Sequence, residues 1–421
     1  MRKTNPISFY RSGQFLKLII FLILVQVAIP GHAQYFGFKI NSGHKSIRLN
    51  YEIYNNLIVI PVSINNEIPL HFVMDSGVRS TIITDKVYTD ELGLPHNRRI
   101  VINGPGNYNR LQAYVVTDVS LYLNGVTGYD QSVLVLDQDY LQLSSILGTE
   151  VHGMIGYDIY NRFVMNFNFL SKTVTMTEPR KFKPPKHWDV LPLMVEDTKP
   201  YVWATVCTHD TTHVRVKLMI DTGASHSVLL KENPVHGLSA PEKYIHAEIG
   251  RGLGGPITGK LARIKSLTLG DYTFHNVVAS FPDLINYPDT VADSERNGTL
   301  GGEILSRFNV IFDYRHGKLY LRKNHNFRKS FGYNMSGLTI VASGRELDSY
   351  KVSFVRKDSP AGKAGIRPGD VVISVNGYDD EDLNMNVMYK IFNYMPNKSV
   401  HMVVERNGEY LRMDFVLEDV I

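Results

Sequence analysis

Asp75-Ser76-Gly77 and Asp221-Thr222-Gly223 each end an apolar run, Phe72-Val73-Met74 in one case and Leu218-Met219-Ile220 in the other, and they stand 146 residues apart. An Asp at the end of a buried strand can sit in the floor of a cleft rather than in open water. The Gly at the third position lets the backbone turn tightly and brings an N–H toward the carboxylate. The Ser or Thr hydroxyl between them can bond across to an opposing loop and lock two halves together. If the triplets meet on a pseudo-twofold axis, Asp75 and Asp221 face each other, cannot both ionise, and share one proton. The ionised carboxylate then takes a proton from a trapped water while the protonated one polarises a carbonyl. That is amide hydrolysis with no metal, no other cofactor and no covalent intermediate.

Two such triplets need a scaffold that repeats, and the chain carries one. Ser120-Leu121-Tyr122-Leu123 matches Ser266-Leu267-Thr268-Leu269 at the same offset of 146. Gly153-Met154-Ile155-Gly156, then Arg162-Phe163 and Phe167-Asn168, matches Gly298-Thr299-Leu300-Gly301, then Arg307-Phe308 and Phe312-Asp313, at 145. The period is domain-sized, too long for a solenoid. Short β-branched or alternating segments dominate both copies, such as Leu57–Ile64, 164–169 and 174–177. Brief helices are expected at 157–161 and 303–307, after the second glycine cluster of each copy. A mainly β chain is expected, with the two copies packed as pseudo-twofold lobes.

At 421 residues the chain has room for about three domains. Residues 1–33 read as a secretory signal: Arg2, Lys3, Arg11 and Lys17 precede an apolar stretch from Leu18 to Ile29, and small residues stand before a cut after Ala33. Twelve apolar residues are short for a membrane anchor. An exported protein, periplasmic, envelope-bound or extracellular, without an integral membrane segment after cleavage is therefore expected. Those first residues also account for the net charge of +4, so no nucleic-acid partner is implied. Cys207 is the only cysteine, so an internal disulfide is impossible. Its strand-like neighbours make it a buried, inert thiol. Among 15 His residues there is no His-Glu-x-x-His spacing, and no Gly-x-Ser-x-Gly elbow exists, so neither a zinc peptidase nor a serine hydrolase is supported.

The boundaries read as a first lobe over 34–180, a Pro- and Lys-rich connector over 181–187, and a second lobe over 188–325. The basic stretch Arg322–Lys329 reads as a second solvated linker. Residues 326–421 are different: Ser359-Pro360-Ala361, Arg367-Pro368-Gly369-Asp370 and Asn376-Gly377 punctuate a short helix, a turn, a buried strand and a hairpin turn. A helix over about 383–394 and a hairpin around Asn407-Gly408 follow.

With Asp75-Ser76-Gly77, Asp221-Thr222-Gly223 and the downstream Met154-Ile155-Gly156 and Thr299-Leu300-Gly301, residues 35–325 resemble the pepsin and retropepsin group of aspartic peptidases. The resemblance implies two β-barrel lobes and a catalytic dyad of Asp75 and Asp221, supported by Ser76, Gly77, Thr222 and Gly223. It also implies that the downstream segments pack beside the catalytic loops, and that the substrates are peptides or proteins. Each lobe has a glycine-rich stretch where that family carries its substrate-covering flap, which makes Gly106, Tyr108 and Gly254 substrate-binding candidates. There are departures. Val78-Arg79 follows the first triplet, and Thr299 stands where a large apolar residue is usual. Arg79 can turn outward and be harmless, or reach the dyad and suppress the shared proton. In the second case the chain is a degenerate, peptide-binding or scaffold protein of the cell envelope.

The punctuated C-terminal run resembles a PDZ domain of the kind attached to bacterial envelope proteases. The resemblance implies peptide-strand addition at a sheet edge and capture of a C-terminal peptide. Gly337 and Leu338, in Ser336-Gly337-Leu338-Thr339-Ile340, are the candidates for the carboxylate-binding loop. The alternative is a PDZ fold used only for packing on the lobes.

Overall fold

The computed structural model describes residues 37–41, 43–106, 110–209, 212–283, 295–380, 382–394 and 396–421. The signal read at 1–33 and the flap candidate Tyr108 lie outside them. Among the described residues no helix is long and apolar enough to cross a membrane.

The first lobe is a closed barrel. Its strands run, in spatial order, Leu57–Ile64, Ile68–Met74, Gly153–Ile155, Ile82–Ile83, Val126–Leu136 and Leu111–Leu123, which pairs back onto the first. The second lobe closes through the matching series: Lys199–Cys207, Val214–Ile220, Gly298–Leu300, Val228–Leu230, Tyr272–Pro282 and Gly255–Leu269. The repeat read from the sequence is thus a repeat of topology. Alternation along these strands turns one set of side chains inward: Ile58, Ile60, Val62 and Ile64 in one lobe and Val202, Ala204 and Val206 in the other are buried. Cys207 is buried and takes part in no disulfide.

A six-stranded sheet joins the lobes. Its central pair is Val164–Asn168 against Phe308–Asp313, with Met165 opposite Phe312 and Phe167 opposite Val310. These two registers exchange under the repeat offset, so the pseudo-twofold axis passes through the pair. The sequence did not reveal this sheet, because strand partners from different copies leave no local pattern. It also corrects one reading. Arg322 and Lys323 end the strand Lys318–Lys323 of this sheet, and Phe327 packs against Phe274 and Phe308, so the stretch is not a solvated linker. Brief helices stand at Tyr157–Tyr160 and Gly302–Leu305, near the expected places.

The PDZ region is an antiparallel sheet with the strand Leu338–Ser343 at its edge and the helix Met385–Tyr394 packed against it. Ser359 caps the short helix Pro360–Lys363, its hydroxyl accepting from Gly362 N–H at 3.2 Å. The domain is docked on both lobes. The amide of Asn56, in a first-lobe turn, donates to Ser225 C=O of the second lobe at 3.0 Å and to the Tyr389 hydroxyl at 3.4 Å. The Tyr394 hydroxyl donates to Glu303 at 3.4 Å, and Arg263 pairs with Asp419 at 2.9 Å.

Candidate active site

Each Asp is held by two strands of its own lobe. Gly153–Ile155 runs parallel to the end of Ile68–Met74, and Gly298–Leu300 does the same beside Val214–Ile220. Asp75 N–H donates to Ile155 C=O and Asp221 N–H to Leu300 C=O, both at 2.9 Å. Gly156 and Gly301 are required next to these loops. A Cβ on Gly156 would stand 2.4 Å from Asp75 O, and one on Gly301 2.1 Å from His226 O. The downstream segments therefore pack beside the Asp loops, as the resemblance implied.

The structure brings Asp75 and Asp221 together. A Cβ placed on Gly77 would lie 3.1 Å from the Asp221 carboxyl, and one on Gly223 2.3 Å from that of Asp75. Each carboxylate accepts its own glycine N–H: Gly77 N to Asp75 Oδ1 at 2.7 Å, and Gly223 N to Asp221 Oδ1 at 3.0 Å. The middle residues lock the lobes to each other. Ser76 Oγ donates to Ile220 C=O at 2.9 Å and accepts from Thr222 N–H at 3.1 Å. Thr222 Oγ1 donates to Met74 C=O at 2.6 Å and accepts from Ser76 N–H at 3.0 Å. Both hydroxyls are buried, so these bonds have no water to compete with them.

Sequence reasoning missed the layer beneath. The Tyr160 hydroxyl lies 3.0 Å from Thr222 Oγ1. Since that oxygen already gives its proton to Met74, Tyr160 must be the donor. Tyr160 stacks on Tyr314, whose hydroxyl is buried and unbonded among the described residues. Only the apolar spacing around Tyr160 shows in the chain, and that spacing is silent about the hydroxyl.

Electrostatically the pair is strained toward sharing a proton. Burial first, and then the negative charge of Asp221, push the Asp75 carboxyl well above its ordinary range. The sign for stability follows. A carboxyl whose folded pKa is raised stabilises the fold at acid pH, below its unfolded value of 3.8, and that stability is lost as pH rises through the folded value. Asp75→Asn removes the loss. It should melt above the wild type at neutral pH, by roughly 1 °C per kcal/mol recovered for a chain of this size, with the gap closing at strongly acid pH. Thermal unfolding of both proteins across that range measures it.

Arg79 turns outward. Its guanidinium pairs with Asp197 at an exposed turn, and its side chain is 61% exposed. Thr299 is also explained: its hydroxyl accepts from Arg296, which bonds Gly298 C=O as well at 3.1 Å. A polar residue there anchors an arginine that a large apolar side chain could not. Lys199, half-buried beside Arg296 and near Asp221, has its pKa lowered, first by burial.

The glycine-rich stretches meet tip to tip. Gly254 N–H donates to Pro105 C=O at 2.8 Å, and a Cβ on Gly106 would stand 2.3 Å from the Gly254 carbonyl carbon. Leu253 packs on the first-lobe cluster that contains Leu57, Val73 and Leu136, as do Val78, Ile100 and Ile102. Gly106 and Gly254 thus belong to the two hairpin tips and to each other. Gly106 also has φ +126°, which only glycine adopts easily. Gly106→Ala should force the tips apart and lower kcat/KM roughly tenfold or more, with little change in melting temperature.

Gly337 and Leu338 are placed differently from the expectation of an open carboxylate loop. Asn334 Oδ1 accepts from Ser336 N–H at 3.1 Å and Gly337 N–H at 3.2 Å, while Leu338 N–H donates to Ser336 Oγ at 3.2 Å. Asn334 Nδ2 donates to Leu338 C=O at 2.6 Å. The loop satisfies itself. The other end of the groove is also met by the first lobe, since a Cβ on Gly148 would lie 2.5 Å from Met385 and 3.8 Å from Ala342.

Two closed barrels, a shared sheet through the twofold axis, and a locked carboxylate pair under meeting hairpins define a bilobal acid-protease fold. The aspartyl protease family model matches the chain twice, over residues 60–159 and 204–304, and a PDZ domain model matches residues 351–406. The chain thus carries two retropepsin-like aspartyl protease lobes in tandem, followed by a PDZ domain. No curated protein matches the sequence.

Proposed function

We propose that the protein is an aspartic endopeptidase in which Asp75 and Asp221 act as one acid–base unit on a water held between them. The observation that carries this reading is the reciprocal lock of Ser76 and Thr222, which fixes the two carboxyls side by side in a buried floor. Asp75, whose proton is held tightly, serves as the acid toward the scissile carbonyl. Asp221 takes the proton of the attacking water. The tetrahedral intermediate collapses as the leaving amine gains a proton from the pair. The meeting hairpins must part to admit a peptide and then close to exclude bulk water. Arg79 pairs with Asp197 rather than with the dyad, which supports activity over a binding-only role.

The test is cleavage of a denatured protein and a peptide library by the full-length chain from acid to neutral pH. Activity should fall as the pair loses its shared proton, be blocked by a pepstatin-like inhibitor, and survive chelators. Loss of activity on chelation would remove the reading. We further propose that the enzyme is exported, on the basic, apolar and small-residue layout of residues 1–33. A purified mature chain beginning at Gln34 would support it, and one that keeps its first residues would not.

A further inference from the structure

We propose that the PDZ domain completes a substrate subsite: the crevice between it and the second lobe receives a stretch of substrate carrying an acidic side chain, which Arg356 binds. The inference rests on the peptidase reading above. A pocket of about 240 Å³ opens between these two parts of the chain. Its lining includes Ser225, His226 and Ser227, which follow Asp221-Thr222-Gly223 after Ala224. One wall is the second-lobe hairpin, whose strand Tyr244–Gly252 turns Ile245, Ala247 and Ile249 to the pocket, with Leu261 and Val278 beside them. The other wall is PDZ: Leu338, Thr339, Phe354 and Arg356.

The charges in the pocket are unequal. Glu248 has Arg251 at 3.8 Å, and Glu303 has Arg307 at 3.4 Å and the Ser227 hydroxyl at 2.6 Å. Arg356 is half-buried, and its guanidinium has no hydrogen-bond or ion-pair partner among the described residues. A cation in that position is partly desolvated and keeps water on its open side, so an arriving carboxylate replaces that water with a charge-assisted bond. His226 adds no competing charge, because burial lowers its pKa to about 4 and keeps it neutral. Its Nε2 is buried and has no hydrogen-bond partner among the described residues.

The carboxylate is that of a side chain rather than of a chain end. An α-carboxylate on a PDZ domain needs backbone N–H groups of the loop before the edge strand. Here Asn334 and Ser336 already take those of Gly337 and Leu338. The free donors are those of Arg356, whose planar fork suits an Asp or Glu side chain. Apolar neighbours on the substrate would lie against Ile245, Ile249 and Phe354.

Full-length Asp221→Asn protein, which binds without turning over, is offered an N-acetylated, C-amidated peptide library. The bound pool should be enriched in Asp or Glu at one position flanked by Ile, Leu or Val. A selected Glu peptide should bind on the order of tenfold tighter than its Gln counterpart, the size expected of a charge-assisted hydrogen bond. Adding Arg356→Glu should abolish that difference and favour the Lys counterpart, while Arg356→Lys keeps part of it. Unchanged melting temperatures would show that the fold is intact. Absence of acidic enrichment, a Glu–Gln difference that survives Arg356→Glu, or much tighter binding of the same peptide made with a free C-terminus would each overturn the subsite. The two readings separate cleanly. If the wild type cuts peptides but no acidic preference appears, the subsite falls and the peptidase stands. If the preference appears and nothing is cut, the site remains as a binding site and the peptidase falls.

Discussion

Asp75→Asn and Asp221→Asn should each lower hydrolysis of a denatured protein to background, a loss on the order of 10³-fold or more, since each removes an essential acid or base. The amide is nearly isosteric with the carboxyl, so both variants should keep the fold. The double variant should be no worse than either single one. The two carboxyls act on one water through one shared proton, and a unit once broken has nothing further to lose. Additive losses would mean that the residues work separately, which the reciprocal bonds of Ser76 and Thr222 argue against. Full activity in Asp221→Asn would place the chemistry elsewhere. Initial rates with equal amounts of folded protein, compared across the four proteins, decide between these outcomes.

Much of this site is legible in the sequence, and the reason is repetition. A lone Asp-Thr-Gly after an apolar run is uninformative, but two in register with later anchors imply a twofold arrangement and hence a carboxyl pair. The β content and the punctuated C-terminal region were legible for a similar reason, because turn residues and alternation are local signals. What stayed hidden depends on contacts between distant segments. The strand pairing of Val164–Asn168 with Phe308–Asp313 joins the two copies with no local mark. Tyr160 reaches Thr222 through the fold alone, and Arg79 was ambiguous until Asp197 stood beside it. Gly337 and Leu338 read as the carboxylate-binding loop because that loop should precede the first peptide-pairing strand. The side chain of Asn334, three residues earlier than Gly337, closes that loop, and sequence reasoning had no rule to anticipate it. The PDZ region also proved to be bound to both lobes through Asn56, Tyr389 and Tyr394, which ties its position to the loop that carries Asp221.

The two glycines of the triplets should not be equivalent, although the sequence treats them alike. Gly223→Ala would put a methyl group 2.3 Å from both Cγ and Oδ2 of Asp75, a distance that no real contact tolerates. Asp75 cannot step aside, because Gly77 N–H holds its Oδ1 at 2.7 Å and its backbone is tied to Ile155. The carboxyl must rotate or the lobes must part, and either change breaks the shared geometry. A displacement near 1 Å costs on the order of 10² in rate, so Gly223→Ala should lose activity by at least that factor. Gly77→Ala would put its methyl 3.1 Å from the Asp221 carboxyl, tight but short of a collision. A shift of a few tenths of an ångström by Asp221 relieves it, so this variant should keep a measurable fraction of the wild-type kcat/KM. Both glycines lie outside the left-handed region, so neither effect comes from backbone strain. Side-by-side kcat/KM values on one peptide measure the asymmetry. Equal losses would mean that the two carboxyls are not offset as the structure has them, with Asp75 leaning toward Gly223 more closely than Asp221 leans toward Gly77.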